Sequence, residues 1–292
     1  MSDRNKAHWP KISIVTPSYN QGQYIEETIL SVINQNYPNL EYIIIDGGST
    51  DNTVEIIKNY EKHITYWVSE PDQGQSHAIN KGFKKSTGDI LGWINSDDYY
   101  TSDTFSTIVD IIQPKQLMLL YGNASYYFQD TDSFKEVDVV ARNRKKILPF
   151  DLGFIQPATF WTKWLWEEVG ELNEELHYAF DLDWYLRGLN KGKHISTSRE
   201  LAIYRIHGDH KTSNGGEERE KEILTSIDKN GYRKYANVLS NLNRRVATKS
   251  SFFTDRLLLG KAFFSIYRVF NPSLWKLSVN EISQLFTKRR AM

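Results

Sequence analysis

Between residues 11 and 98 the chain alternates four short apolar runs with amphipathic stretches, and few folds accept that rhythm. The runs at 11–16, 40–45, 64–68 and 90–94 have strand length and are too short for buried helices. Helices are expected at 22–36, 54–60 and 76–85. In the first, Ile25, Ile29, Val32 and Ile33 recur at i, i+4, i+7 and i+8, one face of a helix, and Tyr37-Pro38 ends it. Leu40-Glu41-Tyr42-Ile43-Ile44-Ile45 is apolar enough to be covered on both faces, as strands of a parallel sheet are. The connections are short. The expected class is α/β, a Rossmann-like, mostly parallel doubly wound sheet, in which ligands bind at the carboxyl ends of the strands.

Those ends carry the chemistry. The first strand runs into Pro17-Ser18-Tyr19-Asn20, the second into Asp46-Gly47-Gly48-Ser49-Thr50-Asp51, the third toward Asp72, and the fourth into Asn95-Ser96-Asp97-Asp98. Adjacent carboxylates at a strand end are costly unless a positive charge sits on them, and a divalent ion holding a diphosphate supplies one. The plainer reading is a polar turn before the next helix, with Ser102 or Asp103 as N-cap. The sequence contains neither G-x-G-x-x-G after the first strand nor a G-x-x-x-x-G-K-[ST] loop, so a metal is expected to hold the phosphates instead.

Beyond residue 101 a helix is expected to about 112, antiparallel strands at 117–128 and 134–140, and a loop into a strand at 155–161. A short helix follows at 164–169, a helix from 178 with Asp181 in its first turn, and one or two strands over 195–206. Residues 215–243 are charged and helical in pattern, and 251–270 apolar and helical. The expected organisation is a catalytic unit at 1–214, with halves at about 11–100 and 101–214, and a helical extension at 215–292.

The chain has no Cys, which excludes disulfides and thiolate catalysis and fits a reducing, cytoplasmic setting. Residues 1–10 are polar, without a leader pattern, and no apolar run is long enough to span a bilayer. The overall net charge of zero hides an asymmetry. Residues 241–292 carry ten Lys/Arg against two Asp/Glu. On a helix, Leu258, Leu259, Phe263, Ile266 and Phe270 share a broad apolar face with basic neighbours. Two readings stay open: peripheral membrane contact through 251–292, or packing on the catalytic unit or a second subunit. No nucleic-acid partner is expected.

Six pieces together carry a resemblance: Ile14-Val15-Thr16-Pro17-Ser18-Tyr19-Asn20; Asp46 to Asp51; Asp72-x-Gly74 with Ala78-x-Asn80-x-Gly82; Asn95-Ser96-Asp97-Asp98; Phe180-Asp181-Leu182-Asp183 with Leu186-Arg187; and Arg205-x-His207. In this order and spacing, over roughly 11–210, the chain resembles the family 2 glycosyltransferases of GT-A fold. The resemblance implies an inverting, metal-dependent enzyme of hexosyltransferase type. Such an enzyme moves a sugar from a nucleoside-diphosphate sugar to a hydroxyl of a glycan or lipid-linked glycan, in cell-surface polysaccharide biosynthesis. It implies a smaller antiparallel sheet on the acceptor side. It assigns Thr16, Pro17, Tyr19 and Asp46 to the nucleoside, with Asp72 and Asn80 lining the same pocket and Asn95, Ser96 and Asp97 beside the donor. Asp97, Asp98 and His207 would hold Mn²⁺ or Mg²⁺, and Asp181 would be the general base. Two departures stand out. Asn95 occupies the first acidic position of the D-x-D element, and Phe180 stands where many relatives have Glu.

The chemistry is coherent apart from the resemblance. Direct inversion needs one base for the acceptor proton and a Lewis acid on the departing diphosphate. Each residue also has a plainer reading. Asp181 suits a helix first turn, Asp183 and Arg187 form an i, i+4 pair, Asp46 suits an Asx turn, and His207 suits an ordinary loop. Trp161, Trp164, Trp166 and Trp184 divide between core and sugar stacking. A sugar nucleotidyltransferase would want a Gly- and Lys-rich loop after the first strand, and residues 17–22 have one Gly and no basic residue. A non-catalytic sugar- or nucleotide-binding subunit would be expected to lack Asp97 or Asp181, and both are present.

Overall fold

The computed structural model describes residues 9–137, 154–208, 211, 216–233 and 236–237. The expected alternation is there. Strands β1 (Ile12–Ser18), β2 (Leu40–Asp46), β3 (Tyr66–Ser69) and β4 (Ile90–Trp93) are separated by helices α1 (Ile25–Ile33), α2 (Thr53–Asn59) and α3 (Gln75–Lys85). β1 pairs in parallel with β2 and β4, and β2 with β3. A 3-10 turn at Glu61–His63 delays β3, so Ile64 precedes the strand rather than opening it.

The second half is β5 (Tyr99–Tyr100), α4 (Thr104–Ile111), β6 (Met118–Phe128), β7 (Ser133–Val137), β8 (Thr159–Thr162), α5 (Lys163–Val169), α6 (Phe180–Lys191), β9 (Lys193–Ile206) and α7 (Gly216–Lys229). Among the described residues these strands do not form a separate sheet. β8 pairs antiparallel with the free side of β4, and one mixed sheet continues in the order β3-β2-β1-β4-β8-β6-β9-β5, with β7 on β6. β6 and β9 run parallel as two long strands, where 195–206 left one or two open. Asp103 occupies the N-cap position of α4 at φ 60°, without a capping side-chain bond.

The sheet crosses from one half to the other through an aromatic core. Trp161 packs on Trp93, Trp184 and Phe83 at centroid distances of 5.2, 4.6 and 5.7 Å. Trp166 packs on Phe83 and Trp184. Trp161 and Trp184 are fully buried, so they serve the core and not sugar stacking; Trp164 is exposed. Large rings bury much apolar area at this one seam, where β8 joins β4. Gly82 lets α3 lie directly on β1, because a Cβ there would meet Val15 Cγ1 at 2.4 Å.

α7, the first part of the expected extension, packs on α6. Its Ile227 is buried with Leu186 of α6, and Asn230 donates to Asp183 Oδ1 at 3.1 Å. Residues 251–292 lie outside the described residues, and with them the membrane reading. No helix among the described residues is long and apolar enough to cross a membrane.

At the amino ends of the strands, away from the chemistry, a buried carboxylate ties three segments. Glu41 on β2 accepts from Ser13 Oγ, Thr87 N and Thr87 Oγ1, and pairs with Lys11 Nζ at 2.8 Å. Burial alone would raise its pKa, but the hydrogen bonds from Lys11, Ser13 and Thr87 outweigh it and bring it from 4.5 to about 2. The ionised form is the one the fold holds. Its contribution is therefore complete above the unfolded value and is lost as pH falls toward 2. Glu41→Gln should cost about 1–3 kcal/mol in denaturant melts at pH 7. The difference from the parent should narrow as pH falls from 4.5 toward 2.

Candidate active site

The loops at the carboxyl ends of β1 and β2 are stitched to each other. Asn20 N donates to Ser49 Oγ, Thr50 N donates to Asn20 Oδ1, and Gly22 N donates to Asp51 Oδ2. Asp46 makes the turn that allows this. Its Oδ2 accepts from Gly48 N and Ser49 N at 3.2 and 2.9 Å and from Ser69 Oγ at 2.6 Å, while Oδ1 accepts from Ser49 Oγ. The side chain is fully buried, and its bonds are those of an Asx turn. Asp72 lies against Gly47 and accepts from Gly74 N at 2.8 Å. Thr16 is buried against the Tyr42 hydroxyl, Pro17 is buried, and Tyr19 is exposed at the loop tip.

Asn80 clamps the segment after α5: its Nδ2 donates to Leu172 O and Glu174 Oε1, and its Oδ1 accepts from Leu172 N. Both amide N–H groups are thereby used, while Oδ1 keeps a second lone pair.

Beyond β4 the chain turns through Asn95, Ser96, Asp97 and Asp98 at the floor of an open cleft. The two adjacent carboxyls face different partners. Asp98 is buried, accepting from Arg205 N at 2.9 Å and from Asn95 Nδ2 at 3.3 Å. Burial first, and the neighbouring Asp97 charge second, push its carboxyl well above the usual carboxylate range. As placed, both oxygens of Asp98 are engaged in hydrogen bonds that join the turn to the end of β9. Asp97 is part-exposed, and its Oδ2 lies 3.1 Å from His207 Nε2. Ser96 is buried.

Asn95 has a structural reason to be neutral. Its Oδ1 accepts from Gln75 Nε2 at 2.8 Å and its Nδ2 donates to Asp98. Gln75 in turn accepts from Lys211 Nζ at 3.3 Å. An Asp at 95 would supply no N–H to Asp98 and would add a third carboxylate beside two others.

The opposite wall comes from the start of α6 and the segment before it. His177, Tyr178, Phe180 and Asp181 line the same cleft as Asn95, Asp97 and Asp98, together with Gln75, Trp93, Gln156, Tyr204 and Lys211. Asp181 Oδ1 accepts from Leu182 N at 2.7 Å. Burial raises its pKa, moderated by Leu182 N–H, Arg219 and Lys211. Lys211 lies over the rings of Phe180 and Tyr178 at 5.5 and 5.9 Å, and its desolvation lowers its pKa. Asp183 and Arg187 form the expected helix pair at 2.9 Å, with Arg187 also donating to Val169 O and Glu171 O.

Gln75, Gln156 and Lys211 carried no signal in the sequence, because they reach the cleft only through the tertiary fold. Arg205 had one in the Arg205-x-His207 pair. Its guanidinium lies within 5.1–5.3 Å of the Tyr24, Tyr99 and Tyr127 ring centres, donates to Asp97 O at 2.9 Å and pairs with Glu27.

The glycosyl transferase family 2 profile matches residues 13–164, just over half of the chain. The chain belongs to glycosyl transferase family 2. Among curated relatives, an uncharacterized glycosyltransferase of Haemophilus influenzae is 34% identical over 139 residues, 47% of this chain and 54% of that protein. TuaG of Bacillus subtilis, provisionally assigned as a teichuronic acid biosynthesis glycosyltransferase, is 33% identical over 126 residues, 41% of this chain and 49% of that protein. The match thus spans about half the length of these relatives. Two solved structures share the GT-A fold. Staphylococcus aureus TarS 1–349 in complex with UDP-GlcNAc has TM-score 0.62 at 17% identity, covering 89% of this chain and 82% of that one. The mannosyltransferase PcManGT of Pyrobaculum calidifontis, in complex with GDP-Man and Mn²⁺, has TM-score 0.59 at 15% identity, covering 96% and 86%.

Whether the family 2 site suits a divalent ion is decided by its donor set. Asp97 Oδ2 and His207 Nε2 already converge on one point, so a cation replacing their shared proton would meet a carboxylate oxygen and an imidazole nitrogen together. Among the described residues, no group of three His, Cys, Asp or Glu gathers to hold a metal. The remaining positions would fall to donor phosphate oxygens and water, as is usual for Mg²⁺-type sites. The residues fit.

Arg205→Ala removes a buried charge-assisted hydrogen bond and three ring contacts at once. It should lower stability by about 2–4 kcal/mol in a denaturant titration. Glu27→Gln, at the half-exposed end of the ion pair, should cost less than about 1 kcal/mol.

Proposed function

We propose that this chain is an inverting glycosyltransferase that moves a sugar from a nucleoside-diphosphate sugar to an acceptor hydroxyl in cell-surface glycan biosynthesis. The observation that carries this reading is a cleft beyond the carboxyl end of β4 that brings Asp97 and Asp181 together, with His207 Nε2 3.1 Å from Asp97 Oδ2. TuaG supports the glycan class, and the nucleotide-sugar complexes of TarS and PcManGT support the donor class.

Asp97 and His207 would hold the divalent ion. When bound, that ion supplies Lewis-acid stabilisation of the diphosphate as the bond to C1 breaks. The chain's own residues do the rest. Asp181 takes the proton from the acceptor hydroxyl as its oxygen forms the new bond to C1 from the face opposite the leaving diphosphate. Burial strengthens Asp181 as a proton acceptor, and Leu182 N–H orients the carboxylate. Lys211 places a cation at the same cleft, and Gln75 holds its ammonium. Tyr19, exposed just after β1, would frame the nucleoside together with Asp72 and the turn shaped by Asp46.

A screen of UDP-, GDP- and dTDP-sugars with Mn²⁺, scored for hydrolysis and transfer, tests the reading. Asp97→Ala should abolish turnover and weaken Mn²⁺-dependent nucleotide binding in calorimetry, and excess EDTA should do the same to the parent. Full activity in EDTA would remove the metal from the scheme.

Asp181→Asn should lower kcat by about 10²-fold or more with donor binding nearly intact. The base must be ionised to work, and its pKa is raised. The parent's kcat should therefore fall, as pH is lowered, at a value above the ordinary carboxylate range of about 4. The Asn variant should lack that limb.

A further inference from the structure

Four residues of the cleft wall, His177, Tyr178, Phe180 and Asp181, belong to one short strap at the entry to α6. The strap has no cap of its own, since no side chain of the N-cap residue Ala179 can serve. Its backbone donors are taken by a residue from elsewhere. Glu222 on α7 accepts from His177 N with Oε1 at 2.8 Å, and from Tyr178 N and Ala179 N with Oε2 at 2.6 and 2.9 Å. One carboxylate thus fixes three consecutive peptide units directly before Phe180 and Asp181. Arg219 lies three residues earlier on α7, on the same helix face, and its charge acts on Asp181. Lys211 feels both Asp181 and Glu222. α7 lies outside the matched family segment at 13–164, yet its Glu222 is bonded to the strap that forms the wall of the cleft.

We propose that Glu222 is a positioning residue for the reaction: it latches the strap 177–181 and thereby holds Asp181 at the angle from which it takes the acceptor proton. The proposal rests on the assignment of Asp181 as base. Hydrogen bonds from three N–H groups to an ionised carboxylate are individually strong, and they act at a helix N-terminus, where negative charge is favoured. Releasing them frees the φ and ψ of the residues that set the direction of Asp181. A displacement of about 1 Å at a reacting group is enough to cost about 10²-fold in rate. The donor side, built on β1, β2, β4 and the end of β9, has no bond to Glu222 among the described contacts. The effect should therefore fall on kcat and leave donor binding alone.

The test compares Glu222→Ala, Glu222→Gln and Asp181→Asn in the full chain. Amide exchange by mass spectrometry over 177–183 reads the latch without reference to activity. It should accelerate about 10-fold or more in Glu222→Ala and little in Glu222→Gln, which keeps an acceptor oxygen. With the nucleotide sugar that the parent turns over in Mn²⁺, Glu222→Ala should lower kcat about 10- to 100-fold at unchanged donor KM, and Glu222→Gln should recover most of the loss. Unchanged exchange in Glu222→Ala overturns the latch. Faster exchange with normal kcat, while Asp181→Asn is inactive, leaves Glu222 as a stabilising cap only and overturns the positioning role. Normal kcat in Asp181→Asn strikes the base assignment itself, a different failure that exchange still separates from the latch.

Discussion

One buried aspartate ties the turn after β4 to the far end of β9 and to α1. Asp98 receives Arg205 N from the end of β9 and Asn95 Nδ2 from its own turn, while its backbone carbonyl accepts from Thr28 Oγ1 on α1 at 2.7 Å. A carboxyl in that position is stable only if its oxygens are engaged or its charge is suppressed, and both conditions hold. With Asp98 locked inward, the neighbouring Asp97 is turned to the cleft, and the end of β9 arrives with His207 facing it. The adjacent pair of carboxylates thus divides into one buried and one part-exposed member. Spacing alone cannot make that distinction, because it depends on which peptide N–H lies 107 residues further along the chain.

What was legible in the sequence follows how local the forces are. The β-α-β half was readable because β1, β2 and β4 are apolar runs buried in the sheet and α1 shows its 3.6-residue period, so local pattern and tertiary position agree. The turn at Asp46 was foreshadowed by the Gly-Gly-Ser that follows it. The bonds of Asn80 to Leu172 were not, because that partner lies 92 residues away. The acceptor-side strands were legible as strands but not as one continuous sheet. Their pairing is decided by which edge of β4 remains free. Glu222 gave no sign at all, since in sequence it is one of several Glu on a charged helix, and its role exists only where α7 crosses the strap before α6.

The fold also separates stability from chemistry along the strand axis. At the amino ends, Glu41 is satisfied by Lys11, Ser13 and Thr87 with no opening to a ligand. At the carboxyl ends, polar groups are held in chains that stop at the cleft: Lys211 to Gln75, Gln75 to Asn95, Asn95 to Asp98. Each member of that chain fixes the next, so the cleft is organised before any ligand arrives, which is the arrangement that lets polar groups act without reorganising during a reaction.

Charge balance then indicates which ligands such a cleft accepts. Its carboxyls are Asp97, Asp98 and Asp181, of which burial drives Asp98 and Asp181 toward the neutral form. The cations that face them are Lys211 and Arg219, with Arg205 committed to Glu27 and the carbonyl of Asp97. On the proposed function, a diphosphate entering this space would add negative charge beside Asp97, and Lys211 is the lysine among the lining residues that would answer it. Desolvation weakens Lys211 as a proton holder, so it alone would offset the charge incompletely. Asp97, with His207 Nε2 3.1 Å from its Oδ2, would hold a divalent ion that reverses the sign of the local field. On that reading Asn95, Asp98 and Asp97 act together: Asn95 adds no charge, burial drives Asp98 toward the neutral form, and Asp97 is left part-exposed toward a cation and a diphosphate.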